Sequence, residues 1–212
     1  MEKGIIFDLD GVIVFTDRFH YKAWKKLADE YGIYFDEVIN NRLRGVSRMD
    51  SLEIILERYE GAPLSAQEKE KMAEKKNETY KEYLKEMTPA DVTDEVRDTL
   101  KELRKRGYKL AIGSSSKNAT FILEQVKLTD AFDKISDGNN ITKSKPDPEV
   151  FVKAAEFLGI PAEDCAVVED AEAGIDAAKA VGMIACGIGD AAGYDRIDVR
   201  LSTFADLLEQ FK

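Results

Sequence analysis

Histidine occurs once in the 212 residues, at His20, and cysteine twice, at Cys165 and Cys186. A single imidazole excludes a His-rich zinc site and any Ser-His-Asp triad that does not use His20. Two cysteines make no disulfide framework. Both lie in apolar, strand-like surroundings that suit buried free thiols in a reducing cytoplasm. No apolar run approaches membrane-spanning length, and Met1-Glu2-Lys3-Gly4 leads straight into a strand-like segment without the pattern of a signal peptide. The expectation is a cytoplasmic protein with no membrane partner. Basic residues are outnumbered, 31 Lys and Arg against 41 Asp and Glu, for a net charge of -10. That balance argues against a general nucleic-acid binder, because the phosphate backbone demands a basic surface. The excess is uneven: residues 15–88 are nearly neutral and the remainder is strongly acidic. An acidic body beside a lysine-containing insertion suits a site where a cation stands between protein and phosphate, although solubility alone accounts for acidity equally well.

Hydrophobic residues make up 44% of the chain, ordinary for a globular protein, and the length leaves room for one domain with a sizeable insertion. Short apolar runs at 4–8, 109–113, 165–168 and 183–186 read as buried strands. Such strands separated by helices imply a parallel sheet covered on both faces. Between them, 94–106 carries Val96, Leu100 and Leu103 at helical spacing, with Gly107 as the stop. A helix over 148–158 has Asp147 as its expected N-cap and Pro148 in its first turn, and ends before Gly159; another over 171–181 stops at Gly182. The pattern is α/β, a doubly wound, Rossmann-like core.

Residues 15–88 break that rhythm and read as helical. Phe19, Ala23, Leu27, Ala28 and Tyr31 form one stripe, closed by Gly32. Ser47 with Asp50, and Ser65 with Glu68, have the spacing of capping boxes that start two further helices. The first of these runs through Leu52, Ile55, Leu56 and Tyr59 to Gly61, the second through Met72, Tyr80, Leu84 and Met87, and Pro89 ends the stretch. The expected organisation is a catalytic α/β core, 1–14 with 89–212, and an inserted α-helical cap, 15–88.

Asp8 and Asp10 lie at the carboxyl end of the first strand, where open α/β sheets place ligands. Alternation puts both on one side of an extended chain, so one carboxylate can attack phosphorus while the other moves a proton. Gly11 permits a tight turn beside them. Alone, the triplet reads just as well as a polar strand end without chemistry. The strand 109–113 ends in Ser114-Ser115-Ser116 before an expected helix near Lys117, which forms either a phosphate cradle or an ordinary cap. Lys145, in Ser144-Lys145-Pro146-Asp147-Pro148, is a cation on a loop stiffened by two prolines, able to neutralise a transferring phosphoryl group; by itself it reads as a surface lysine. Val167-Val168-Glu169-Asp170 is a further apolar strand ending in acids, the hard oxygen donors that Mg²⁺ prefers.

With nucleophile, hydroxyl, cation and metal acids at four strand ends in that order, the sequence resembles the haloacid-dehalogenase-like phosphotransferases. Within them it is most similar to the β-phosphoglucomutase family, over nearly the whole chain. The resemblance implies that Asp8 is the nucleophile and a Mg²⁺ ligand, and that Asp10 is the general acid/base and ligates Mg²⁺ through its backbone carbonyl. It further implies that Ser114, its neighbour Ser115 and Lys145 bind the transferring phosphate, and that Glu169 and Asp170 complete the metal site. Thr16, His20, Trp24, Gly45-Val46-Ser47-Arg48, Ser51 and Lys76-Asn77 stand where that family carries substrate-handling residues. Arg48, with Ser116 and Asn118, would grip the phosphate that is not transferred, and His20 would couple closure to Asp10 through Lys76. Without the resemblance, Arg48 reads as a solvated arginine, His20 as a satisfied helix histidine, and Trp24 as either cap core or site wall. One physical argument favours Arg48: a cation in the first turn of a helix opposes the dipole, and a ligand would justify it. Phe15, where the family often has an acid, and Ser115, where it commonly has a small apolar residue, are departures that bear on substrate rather than on reaction type.

The family implies a mutase, a monomer acting on a small sugar phosphate. It would interconvert β-D-glucose 1-phosphate and glucose 6-phosphate through an aspartyl-phosphate and a bound glucose 1,6-bisphosphate. The alternative is a Mg²⁺-dependent phosphatase of a small sugar phosphate, which shares every core residue and differs only in the cap. A cap lysine acting as a Schiff base, as in related phosphonatases, is a third reading. An idle binding module is expected to have lost an acid from the set, and none is missing.

Overall fold

Six short strands form one sheet: β1 (Gly4–Phe7), β2 (Lys109–Gly113), β3 (Lys134–Ser136), β4 (Cys165–Glu169), β5 (Ile184–Gly187) and β6 (Val199–Arg200). All pairings are parallel, in the order β3-β2-β1-β4-β5-β6. The structure, a computed structural model, describes residues 3–43 and 47–212. Gly45 and Val46, two of the expected substrate-handling residues, lie outside the described residues. The chain divides into two compact units, one of residues 1–15 and 87–212, the other of 16–86. These divisions fall one and two residues from the boundaries expected above; the buried Met87 groups with the α/β unit.

In the α/β unit, β1 is buried along its whole length, which is why Gly4-Ile5-Ile6-Phe7 shows no polar alternation. Five helices accompany the sheet: α5 (Asp94–Lys105), α6 (Ala119–Gln125), α7 (Glu149–Leu158), α8 (Glu172–Ala180) and α9 (Leu207–Gln210). Their apolar faces bury Val150, Phe151, Ala154, Ile175 and Ala178 against Ile6, Ala111 and Val167, each large side chain contributing about 1.5–3 kcal/mol. Thr93 caps α5 by accepting from Val96 N, and Arg104 and Lys105 occupy its last turn, where cations complement the dipole. Gly159 ends α7 in the left-handed conformation, φ 71°. Pro148, not Asp147, holds the N-cap position of α7. Asp147 still serves that end, because its Oδ1 accepts from Glu149 N at 3.1 Å. β5 starts at Ile184 rather than at Met183.

The helical unit contains α1 (Asp17–Glu30), α2 (Glu37–Asn41), α3 (Arg48–Leu56) and α4 (Ala66–Leu84). α1 buries Phe19, Ala23, Trp24, Leu27 and Ala28. Tyr31, expected on that stripe, is the C-cap residue and 38% exposed, because the helix ends before the periodicity can carry its side chain inward. Ser65 and Glu68 form a complete capping box on α4. Ser47 caps α3 by accepting from Asp50 N, and the Asp50 carboxylate accepts from the Ser47 hydroxyl at 2.6 Å. Leu27, Leu52, Ile55, Met72 and Ala73 make up much of this unit's own core. None of the described helices is long and apolar enough to cross a membrane.

Candidate active site

Parallel register brings the strand ends of the α/β unit together. Phe7 pairs with Ile112 on one side and Val168 on the other, so Asp8 emerges beside Glu169. The strand order reverses direction between β1 and β4, which is the switch point where such sheets open a ligand crevice. Asp8, Glu169 and Asp170 offer oxygens that all lie within 4.8 Å of one another. Two glycines make the room. Gly11 has φ 88°, and a Cβ there would lie 1.9 Å from Asp170 Oδ2. A Cβ on Gly174 of α8 would lie 2.0 Å from Glu169 Oε1.

Lys145 joins this cluster. Its Nζ donates to Asp8 Oδ1 at 2.5 Å and to Glu169 Oε1 at 2.5 Å, and it stands 4.7 Å from the Phe151 ring centroid. Burial alone would lower the lysine pKa, but the two carboxylates outweigh it and hold the ammonium above its usual value. One ammonium does not balance the acids. Burial first, then Glu169, Asp8 and Asp10, push the Asp170 carboxyl up to about 8, and burial also raises Glu169 against the opposing pull of Lys145. Carboxylate oxygens forced together in space kept open by two glycines are a donor set of the kind a hard divalent cation prefers. Asp8, Glu169 and Asp170 therefore fit a divalent ion such as Mg²⁺. The Asp10 side chain stands outside that trio, following the turn in which Gly11 N donates to Val14 O at 2.7 Å.

The phosphate-cradle segment follows β2. Ser114 is buried and tied to β3 through its N–H, which donates to Ser136 O at 3.0 Å. Ser114 Oγ accepts from Ser116 N at 3.2 Å, and Ser116 Oγ accepts from Asn118 N at 3.2 Å. These nested turns delay the helix: α6 starts at Ala119 rather than near Lys117, with Asn118 buried at its N-cap position. Ser115 Oγ and Ser136 Oγ are buried without a hydrogen-bond partner among the described residues.

The helical unit assembles a second group. Lys76 is only 3% exposed. Its Nζ lies 2.8 Å from His20 Nδ1 and 4.6 Å from the ring centroids of both Trp24 and Tyr80. An ammonium at Nδ1 makes that nitrogen the acceptor and leaves the ring proton on Nε2. Burial first, then Lys76 and Arg48, hold the His20 pKa well below its ordinary value. Tyr80 donates its hydroxyl to Thr16 Oγ1 at 2.9 Å. Thr16, Ser51 and Asn77 are buried too. Trp24 belongs to this unit's core while one face meets the lysine. Arg48 is half-buried at the start of α3, and its surroundings lower its pKa mainly by burial. Sequence reasoning placed Tyr80 only on an apolar helix face and gave Phe151 and Gly174 no role, since nothing local marks a residue whose work is contact with a distant one.

The model of the haloacid dehalogenase-like hydrolase family matches residues 2–182. The chain belongs to that family. It is 40% identical to beta-phosphoglucomutase of Bacillus subtilis over 207 residues, covering 97% of this chain and 91% of that protein. The crystal structure of beta-phosphoglucomutase from Clostridium difficile superposes with a TM-score of 0.88 at 36% identity, covering 98% of this chain and 93% of that one. A phosphorylated carbohydrates phosphatase of Thermotoga maritima is 31% identical over 85% of this chain and 82% of its own.

Proposed function

We infer that the protein is a phosphoryl-transfer enzyme that interconverts β-D-glucose 1-phosphate and glucose 6-phosphate. The observation that carries this reading is the 40% identity over 97% of the chain to an enzyme named for that reaction. The phosphatase reading is favoured by lower likenesses, 31% identity to the Thermotoga protein and 30% to a fructose-1-phosphate phosphatase of Escherichia coli.

In this reading Asp8 is the nucleophile. One of its carboxylate oxygens forms a bond to phosphorus of a hexose 1,6-bisphosphate as the bond from phosphorus to a sugar oxygen breaks. Asp10 gives its proton to that departing oxygen, then as a carboxylate takes the proton of the free hydroxyl of an incoming sugar monophosphate when that hydroxyl attacks phospho-Asp8 and regenerates the bisphosphate. Lys145 and Ser114 bind the oxygens of the transferring group, and Lys145 is already held at the Asp8 carboxylate. Ser116 and Asn118, together with Arg48, hold the other phosphate, and Ser115 lies between the two sets. Asp8, Glu169 and Asp170, with the Asp10 carbonyl, would hold Mg²⁺, which supplies charge neutralisation to the phosphoryl oxygens when bound. In the helical unit, Thr16, His20, Lys76 and Trp24 handle the sugar end. The two buried thiols, Cys165 and Cys186, suit a reducing cytoplasm.

Enzyme, Mg²⁺ and β-glucose 1-phosphate with a trace of glucose 1,6-bisphosphate should yield glucose 6-phosphate without matching phosphate release. Phosphate release that keeps pace with substrate loss would replace this reading with the phosphatase.

A further inference from the structure

We propose that the turn Asp137–Asn140 is a positioning device for the loop 114–118, setting how tightly the site holds a second phosphate while leaving the first one alone. The inference rests on the reading of Ser116 and Asn118 as ligands of the phosphate that is not transferred.

The loop's own bonds are short-range. Ser114 Oγ and Ser116 Oγ accept backbone N–H groups two residues on, which leaves each hydroxyl proton available for an anion. The middle of the loop is held from outside by the turn that leaves β3. Gly138 N donates to Ser116 O at 3.1 Å, and Asn139 Nδ2 donates to Lys117 O at 3.0 Å. Two consecutive carbonyls of the loop are thus held by two consecutive residues of the turn.

The turn is itself closed. Asp137 Oδ1 accepts from Asn139 N at 2.9 Å, Asn140 Oδ1 accepts from Asp137 N at 3.0 Å, and Asn140 N donates to Asp137 O at 2.9 Å. The fit between turn and loop leaves no slack, because a Cβ on Gly138 would lie 2.5 Å from Ser115 O and 3.0 Å from Lys117 N. Both obstacles are backbone atoms, so any side chain at 138 moves the loop.

The segment leading to Lys145 is anchored independently. Glu149 Oε2 accepts from Thr142 N at 2.8 Å, Thr142 Oγ1 at 3.0 Å and Lys143 N at 2.9 Å. Ser114 has its own tie to Ser136. The connection between β3 and α7 therefore carries two separate anchors, one for the loop of Ser116 and Asn118 and one for the lysine at Asp8.

The test uses the full chain carrying Asp8→Asn, which cannot form the acyl phosphate. With Mg²⁺ present, glucose 1,6-bisphosphate and inorganic phosphate are titrated separately by calorimetry. Adding Gly138→Ala or Asn139→Asp should weaken the bisphosphate about tenfold or more, since misplacing a binding group by 1 Å has large effects, and leave inorganic phosphate within about threefold. Asn139→Asp keeps the backbone bond to Asp137 and removes the Nδ2 donor that Lys117 O and Asp137 Oδ2 share, so it serves where Gly138→Ala fails to fold. Glu149→Ala should weaken both ligands alike. Equal losses for both ligands in the turn variants, no loss in either, or a parent that binds bisphosphate no better than phosphate would overturn the proposal. Failure of the mutase reading shows separately, as phosphate release by the wild-type enzyme, and leaves the two affinities measurable.

Discussion

Gly174→Ala sets two effects of opposite sign against each other. Within a helix, alanine is favoured over glycine by about 1 kcal/mol, and Gly174 lies inside α8. Its new Cβ, however, would lie 2.0 Å from Glu169 Oε1 and 2.1 Å from Cδ. Non-bonded atoms settle near 3.5 Å, so the carboxyl must retreat by roughly 1.5 Å. It is poorly placed to do so: Oε1 accepts from Lys145 at 2.5 Å, Oε2 accepts from Ala171 N at 2.9 Å, and the residue is 1% exposed. Overpacking costs about 1–3 kcal/mol, and losing a charge-assisted bond about 1.5–3 kcal/mol. Net destabilisation of about 1.5–5 kcal/mol is expected. Urea unfolding of Gly174→Ala, Glu169→Ala and the double variant checks the cause. With the Glu169 side chain gone, the clash goes too, and Gly174→Ala should become stabilising by up to about 1 kcal/mol. The same sign in both backgrounds would refute the reasoning. The Mg²⁺ concentration for half-maximal activity should also rise in Gly174→Ala.

Three further outcomes follow from the same geometry. Gly159→Ala, at φ 71° with nothing within 4 Å of the added Cβ, should cost about 1–2 kcal/mol from the backbone alone, measured by urea unfolding, with turnover unchanged. Ser65→Ala breaks the capping box of α4 and should cost about 1 kcal/mol; calorimetry that shows no fall in Tm would contradict the cap's role. His20 is held neutral by burial first, then by Lys76 and Arg48, with Tyr80 against its ring. Below its ordinary value of 6.5 the unfolded chain binds a proton that the folded chain refuses, so stability is full above that pH and is lost as pH falls beneath it. His20→Gln should flatten that part of the stability–pH curve, and an unchanged slope would assign it elsewhere.

The strands that carry chemistry were legible because each is an apolar run broken by a polar residue: Asp8 after Phe7, Ser114 after Gly113, Glu169 after Val168. β3 and β6 were not, since Lys134-Ile135-Ser136 offers one apolar side chain and β6 is two residues long. α2 is five residues long, capped by Asp36, too short for any periodicity. The bridge from Lys145 to Asp8 and Glu169 was foreseen only as a cation near the sheet's ligand end. Its two partners come from different strands, and only the parallel register sets them side by side. Gly174, Phe151 and the turn at Asp137 escaped for the same reason, as each acts on a residue remote in sequence.

β1 is synthesised well before its two neighbours in the sheet, β2 and β4, and is completed only when the later of them arrives. Gly4 pairs with Lys109 on one side and Cys165 on the other, so Asp8 waits roughly 160 residues for Glu169 and Asp170, and pairings of such separation form slowly. A chain interrupted before β4 carries Asp8 and none of those partner acids. On the proposed function, acquisition of a phosphoryl group by Asp8 thus becomes a certificate of finished folding, which nascent and truncated chains are unable to present.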